Sequence, residues 1–271
     1  MAFYQYNDPT LHHFDITAWT YGTDYGLAVV MLYHSYRLYQ QRTANTGPLC
    51  QRIWGLIVGY AVSVTCGALA HQFYSHREMR NTWHFRIIWT VCVGSVTFAS
   101  QPMGCIASEL ARLLKPHTYV AIPSVPELLW RTMAIVTTAV CAMGWFSYQR
   151  PACDIFIAGI TQFPTSFYMM AVLWQMKSDA NLTAFCNPRY QWMGILAFIA
   201  NAPLLPLYPL LVHYTTWSLA QVNTFLHTYL LITWSMQAIS LRQVQKAIVA
   251  IQQQPPKAVP IASAVNSKKE Q

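Results

Sequence analysis

Residues 52–73 read RIWGLIVGYAVSVTCGALAHQF, and their only Lys, Arg, Asp or Glu is Arg52 at the first position. A helix of about 20 apolar residues, rising ~1.5 Å per residue, is long enough to cross the ~30 Å hydrocarbon core of a bilayer. The stretch meets that length, and its few polar side chains are small or lie near its ends. It therefore predicts a membrane-spanning helix that carries a histidine, His71, close to one membrane surface.

Stretches of similar length and composition lie on both sides of this one. The whole chain is 54% hydrophobic and only 10% charged, whereas soluble domains carry roughly a quarter charged residues. Windows of about 19 residues predict an all-α, polytopic membrane protein, a seven-helix transmembrane bundle. The spans are predicted at about 20–40, 52–73, 84–108, 125–147, 153–176, 191–213 and 218–241.

The seven spans leave little sequence for any other domain. No repeat of 20–50 residues is visible, so residues 1–241 are predicted to form one transmembrane domain. The remaining residues, 242–271, are predicted to be a cytosolic tail. The tail begins with a weak helical period in LRQVQKAIVAIQQQ and continues as PPKAVPIASAVNSKKEQ. Its proline and small polar residues predict that it is largely disordered.

Positive charge predicts the orientation, because Lys and Arg near span ends are retained in the cytosol. With the amino terminus in the lumen, 13 of the 17 Lys and Arg residues are cytosolic. The amino terminus is therefore predicted to be lumenal and the carboxy terminus cytosolic. The glycosylation sequon at Asn181 then faces the cytosol, so a native glycan there would invert the orientation. The four lumenal exceptions are Arg77, Arg80, Arg86 and Arg150.

The last four residues contain a pair of lysines, Lys268 and Lys269, at the third and fourth positions from the carboxy terminus. This arrangement resembles the dilysine retrieval motif of endoplasmic reticulum membrane proteins. The resemblance implies localisation in the endoplasmic reticulum or early secretory pathway and recognition of the tail by a coat protein. The net charge of +8 is otherwise dispersed along the loops, and no nucleotide-binding motif occurs. A nucleic-acid partner is therefore not expected, whereas membrane lipid is an expected partner.

Histidines concentrate on the predicted lumenal side, which holds seven of the nine. His71 lies near the end of span two, His213 ends span six, and His227 lies about nine residues into span seven. Neutral imidazoles suit zinc, and three protein ligands with an open position activate a water for hydrolysis. His71, His213 and His227 are therefore candidate zinc ligands, with Asp24 of span one as general base. Simple hydrogen bonding at the membrane interface is the alternative.

Span six contains Pro203, Pro206 and Pro209 at intervals of three. Proline removes a backbone donor and clashes with the preceding turn, so this helix is predicted to bend or unwind. In a bilayer, the released carbonyl groups are tolerated only against protein or a water-filled cavity. Together with Asn223, which shares a helical face with His227, these prolines are predicted to line an intramembrane cavity. A packing kink without a cavity is the alternative.

Two pairs of opposite charge stand close together in the sequence near predicted span ends. Glu127 and Arg131 are four residues apart, and Glu109 and Arg112 are three apart. Both spacings place side chains on one helical face. We therefore predict two local ion pairs that anchor these ends.

Seven helices, a lumenal amino terminus, His71 ending span two and His227 in span seven resemble the superfamily of alkaline ceramidases and progestin and adipoQ receptors. The resemblance is architectural and covers the whole chain. It implies zinc bound through histidines in these regions and cleavage of lipid amides or related bonds. The chain departs from the family pattern at Gly67, where the family has a serine, and at Leu231, where a second histidine is expected. His213 would then take the place of the missing ligand.

Three functions follow from these observations, and the sequence does not decide whether the protein is an enzyme. The first is binding, transport or scaffolding of a lipid or sterol in an intramembrane cavity. The alternative is a zinc-dependent lipid hydrolase with a lumenal-side histidine site. The third is a haem-binding electron carrier that uses paired histidines such as His34 and His71.

Overall fold

A computed structural model describes residues 16–41, 47–113, 122–143, 152–177, 183–184 and 186–253. Within these ranges the regular structure is entirely helical, which confirms the all-α prediction. The helices are α1 (Ala18–Gln40), α2 (Pro48–Phe73), α3 (Arg77–Arg80), α4 (Trp83–Leu113), α5 (Glu127–Met143), α6 (Ala152–Met176), α7 (Pro188–Asn201), α8 (Leu204–Tyr214) and α9 (Leu219–Gln252).

The sixth predicted span, 191–213, is divided between α7 and α8. The break falls at Ala202 and Pro203, and Pro203 is the residue that caps the amino terminus of α8. The hydroxyl group of Tyr229 in α9 donates a hydrogen bond of 2.7 Å to the carbonyl oxygen of Ala200. A carbonyl beside the break thus has a partner from a neighbouring helix. The predicted interruption of this helix is confirmed.

Helix α9 continues past the predicted end of span seven at 241 and ends at Gln252. Its amino terminus has a capping box, in which Ser218 and Gln221 exchange hydrogen bonds between side chain and backbone. With 34 residues, the helix is about 51 Å long at 1.5 Å per residue. The start of the predicted tail is therefore helical. The retrieval motif at Lys268 and Lys269 lies outside the described residues.

One buried apolar cluster joins six of the long helices. Helix α2 packs between α1 and α4, and α9 packs against both α1 and α7. The extension of α9 contributes Val244 and Ala247 to the cluster, so it is part of the packed bundle. Side chains that are fully buried there include Met31, Ile53, Met103, Leu173 and Phe198.

Besides the apolar core, several polar side chains are buried inside the bundle, and many large apolar side chains are exposed on its surface. Gln162 and Gln237 are buried, whereas Val29 is 67% exposed and Leu128 is 74% exposed. Judged by length and composition alone, α2 is the one helix in the described ranges that is long and apolar enough to cross a membrane. One such helix is weak evidence for a membrane protein, so the distribution of polar and apolar side chains is the more informative observation.

An ionic cluster joins three helices at one end of the bundle. The guanidinium group of Arg52 lies 2.6 Å from a carboxylate oxygen of Glu109 and 2.7 Å from one of Glu127. Glu127 also accepts a bond of 2.7 Å from Arg131, so the predicted local pair is confirmed. Glu109, which was predicted to pair with Arg112 on its own helix, is bonded instead to Arg52 on the neighbouring helix. The packing of α2 against α4 brings these two groups together, and the spacing of charges along one helix does not reveal that packing.

Candidate metal centre

Three helices bring Asp24, His71 and His227 together. Asp24 lies in α1, His71 in the last turn of α2 and His227 in the first half of α9. One potential ligand atom from each side chain lies within 4.8 Å of those of the other two. Asp24 is 4% exposed and His71 is 8% exposed. We call these three residues the metal group, because a buried carboxylate beside two imidazoles is a donor set that binds divalent metals.

The closest contact in the metal group joins His227 and Asp24. Nδ1 of His227 lies 2.9 Å from Oδ1 of Asp24. In a tetrahedral zinc site with bonds of about 2.0–2.1 Å, neighbouring donor atoms are about 3.3 Å apart. The pair is thus already near the separation that two ligands of one ion require. Alternatively, an Nδ1–H group of His227 donates to Asp24 and Nε2 is the metal ligand, with the carboxylate orienting the ring from behind.

The ring of His71 is enclosed by two other rings. It lies edge-on to the ring of His227, with centroids 5.4 Å apart and planes at 89°. It also lies edge-on to the indole of Trp89 in α4, at 5.8 Å. Trp89 is buried in a small apolar cluster with Phe85 and Val93. One side of the site is therefore a dry, aromatic wall that limits the rotation of His71.

Gly67 lies one helical turn before His71 and faces the same site. A Cβ atom at this position would be 3.3 Å from Oδ2 of Asp24 and 3.5 Å from Sγ of Cys92. The first of these separations is tighter than ordinary van der Waals contact, so the missing side chain lets α1 and α4 approach α2 here. One turn earlier, Ser63 donates a hydrogen bond of 2.7 Å to the carbonyl oxygen of Cys92. This face of α2 thereby fixes the position of α4 beside the metal group.

The three predicted histidine ligands are not brought together as a set. His71 and His227 belong to the metal group, but His213 is exposed in the last turn of α8 and is not a member. The third potential ligand is Asp24, which the sequence suggested as a general base. The sequence could not distinguish these two roles, because the distances between side chains on different helices are not visible in it. A signal in the sequence was available, because Asp24 is a carboxylate within a predicted span.

The residues predicted to line a cavity are spread over two helices. Asn223 is half-buried one turn before His227 and is not a member of the metal group. Pro203 is exposed at the α7–α8 break, while Pro206 and Pro209 lie within α8.

The two histidines suggested for haem lie in different surroundings. His71 is in the metal group, whereas Nδ1 of His34 lies 3.4 Å from Nη1 of Arg242. His34 is ten residues beyond Asp24 on α1, which is about 15 Å along a helix. The structure therefore offers no support for this pair as axial ligands of one iron.

Fold and site together define an all-helical protein with a candidate aspartate and two-histidine metal site. Comparisons with protein-family models, with curated proteins and with solved structures find no match.

Proposed function

We propose that this chain is a seven-span membrane protein that binds zinc at the metal group and hydrolyses an amide or ester bond of a lipid. The observation that carries the proposal is the convergence of Asp24, His71 and His227 from three helices. A buried carboxylate in contact with a histidine is costly unless a positive charge such as a metal ion compensates it.

The membrane setting is supported by the outer surface of the helices. Monomeric soluble proteins rarely expose large contiguous apolar patches, yet α5 exposes Leu128, Ile135 and Val136. On α1, exposed aromatic side chains occur near both ends, at Trp19 and Tyr36. These two residues are about 25 Å apart along the helix, which is comparable to the spacing of the aromatic belts at the two membrane surfaces. Aromatic rings at both ends and aliphatic side chains between them favour a lipid surrounding.

The donor set favours zinc with an open coordination position. Two imidazoles and one carboxylate are three protein ligands, which is the number typical of catalytic rather than structural zinc sites. When bound here, zinc would supply a water of lowered pKa and polarise a carbonyl group. Carboxylate and imidazole ligands also suit other divalent ions, so the identity of the metal is part of the test.

The protein groups around the site have separate tasks in the proposed reaction. Asp24 would hold the ion together with the two histidines, and its Oδ1 lies 2.9 Å from Nδ1 of His227 while its second oxygen, Oδ2, lies beside Gly67. Trp89 restrains His71 and excludes solvent from its side of the site. The architectural resemblance to ceramidases supports a lipid amide as the substrate class.

The test is metal analysis of the full-length protein purified in detergent, followed by an assay for fatty-acid release from a ceramide-type amide. We expect about one zinc per chain and hydrolysis that a chelator abolishes. His71→Ala and His227→Ala should each lose both properties. His213→Ala is the matched control, because it removes an exposed histidine outside the metal group, and it should retain the metal. A metal-free wild-type protein would refute the proposal.

The lipid-binding function remains the second candidate. The break between α7 and α8 favours it, because an interrupted helix inside a membrane requires a polar or protein-lined surrounding. A lipid or sterol that copurifies with a metal-free protein, without hydrolysis, would identify this function instead.

A further inference from the structure

The guanidinium group of Arg242 in α9 faces α1 and has no carboxylate partner among the described residues. Its Nη1 atom is 3.4 Å from Nδ1 of His34. Its Nε atom is buried and makes no hydrogen bond. Among the ion pairs of the described residues, none involves Arg242. The structure therefore places a partly buried cation beside a histidine, with no ion pair to another described residue.

A cation in such a position is costly unless an anion compensates it. His34 is 5% exposed and can accept a hydrogen bond from the guanidinium group only through a neutral ring nitrogen. That contact satisfies one N–H group but supplies no negative charge. Within the described part of the chain, no side chain accepts a hydrogen bond from the buried Nε–H group.

Two amide side chains on the same two helices are also incompletely satisfied. Oε1 of Gln245 and Oε1 of Gln41 are buried without a hydrogen-bond partner. Gln245 is three residues after Arg242, and Gln41 is seven residues after His34, so each shares a helical face with its neighbour. Nε2 of Gln245 lies 2.8 Å from Sγ of Cys50, so this amide donates to an anion only when it is turned to place Oε1 against the thiol; Gln41 can be turned in the same way. We call His34, Gln41, Arg242 and Gln245 the arginine seam.

We propose that the arginine seam binds a phosphate group. Arginine suits this ligand because its planar N–H donors match two phosphate oxygens at once. Arg242 follows directly on the predicted cytosolic end of span seven, which is the depth of lipid headgroup phosphates. In a membrane, the ligand is therefore the phosphate of an anionic lipid of that leaflet. The seam lies about 22 Å from His227 along α9, so it is a separate site from the metal group.

The experiment measures binding of dioctanoyl phosphatidic acid to the full-length protein in neutral detergent, by native mass spectrometry and calorimetry. We expect one saturable site per chain, weakened at least tenfold in Arg242→Gln and only partly in Arg242→Lys, which keeps the charge. Lys246→Gln is the matched control. It removes the same charge one turn further along α9, from an exposed side chain, and should bind like the wild-type protein.

Inorganic phosphate and dioctanoyl phosphatidylcholine distinguish the sources of the phosphate group. Competition by inorganic phosphate at similar concentration identifies a free anion as a ligand of the seam. Binding of phosphatidic acid without such competition identifies the lipid. Equal effects of Arg242→Gln and Lys246→Gln, or no saturable binding of any phosphate, would overturn the proposal. Thermal unfolding of each variant shows whether a loss of binding is a loss of fold. Zinc content should be the same in all of them, so this site and the metal group can fail separately.

Discussion

The metal group and the arginine seam share two helices, α1 and α9, and have opposite electrostatic character. Near one end, α1 and α9 supply Asp24 and His227, which offer a negative charge and lone pairs. Further along, the same helices supply His34 and Arg242, which place a positive charge and N–H donors together. The difference shows that one helix pair can place a carboxylate beside a histidine at one level and a guanidinium group beside a histidine at another. The side chains that the two helices place opposite each other at a given helical turn decide which charge of ligand that level can bind.

The largest effect on the metal group is expected from Asp24→Asn, which removes the negative charge while keeping the shape of the side chain. We expect zinc affinity to fall at least tenfold, since even a carboxylate behind a ligand contributes about 10–100-fold. A loss greater than about 100-fold would place the carboxylate on the metal itself. Zinc titration of the purified protein measures this. Phosphatidic acid binding should not change, and equal zinc affinity in the variant would remove Asp24 from the site.

The ionic cluster at Arg52 differs from both sites, because the charges of its two arginines and two glutamates balance each other. Arg52→Gln leaves Glu109 and Glu127 without their interhelical cation, and we expect about 2 kcal/mol of destabilisation. Arg131 is 61% exposed, so Arg131→Gln should cost less than about 1 kcal/mol. Unfolding by denaturant measures both. Similar costs for the two variants would contradict the view that the interhelical contact stabilises the bundle.

Gly67→Ala tests the packing around the metal group with a smaller change than the charge removal in Asp24→Asn. The new methyl group would crowd Oδ2 of Asp24, at 3.3 Å, and displace the carboxylate. We expect zinc affinity to fall by about tenfold, equivalent to ~1.4 kcal/mol within the 1–3 kcal/mol range of overpacking. Gly55→Ala in the same helix is the control, because a Cβ atom there meets nothing within 4 Å. A larger loss in the control would show that the effect is not local to the site.

The sequence predicted the helical class and two members of the metal group for physical reasons that act locally. Long apolar stretches, the polarity of span ends and the histidines within such stretches can all be read directly from the sequence. His213 was misleading because it also ends a stretch, but its exposure depends on how α8 packs after the proline break. Likewise, Glu109 bonds to Arg52 because α2 packs on α4, which local charge spacing does not reveal. The number of membrane spans stays a prediction.

The arginine seam illustrates a different limit of sequence reasoning. His34 and Arg242 are 208 residues apart, and each alone resembles an ordinary polar residue near a span end. Only their contact reveals a cation that has no counter-charge in the part of the chain that the structure describes. The same holds for Asp24 and His227, 203 residues apart.

Helix α9 joins the two sites with neither glycine nor proline between Leu219 and Gln252. Such a helix is a stiff rod, since bending it sharply requires breaking backbone hydrogen bonds. Tyr229 in the middle of this rod holds the carbonyl of Ala200 at the α7–α8 junction. A shift of α9 along its axis would therefore move Arg242 and His227 together and pull on the hydrogen bond at that junction.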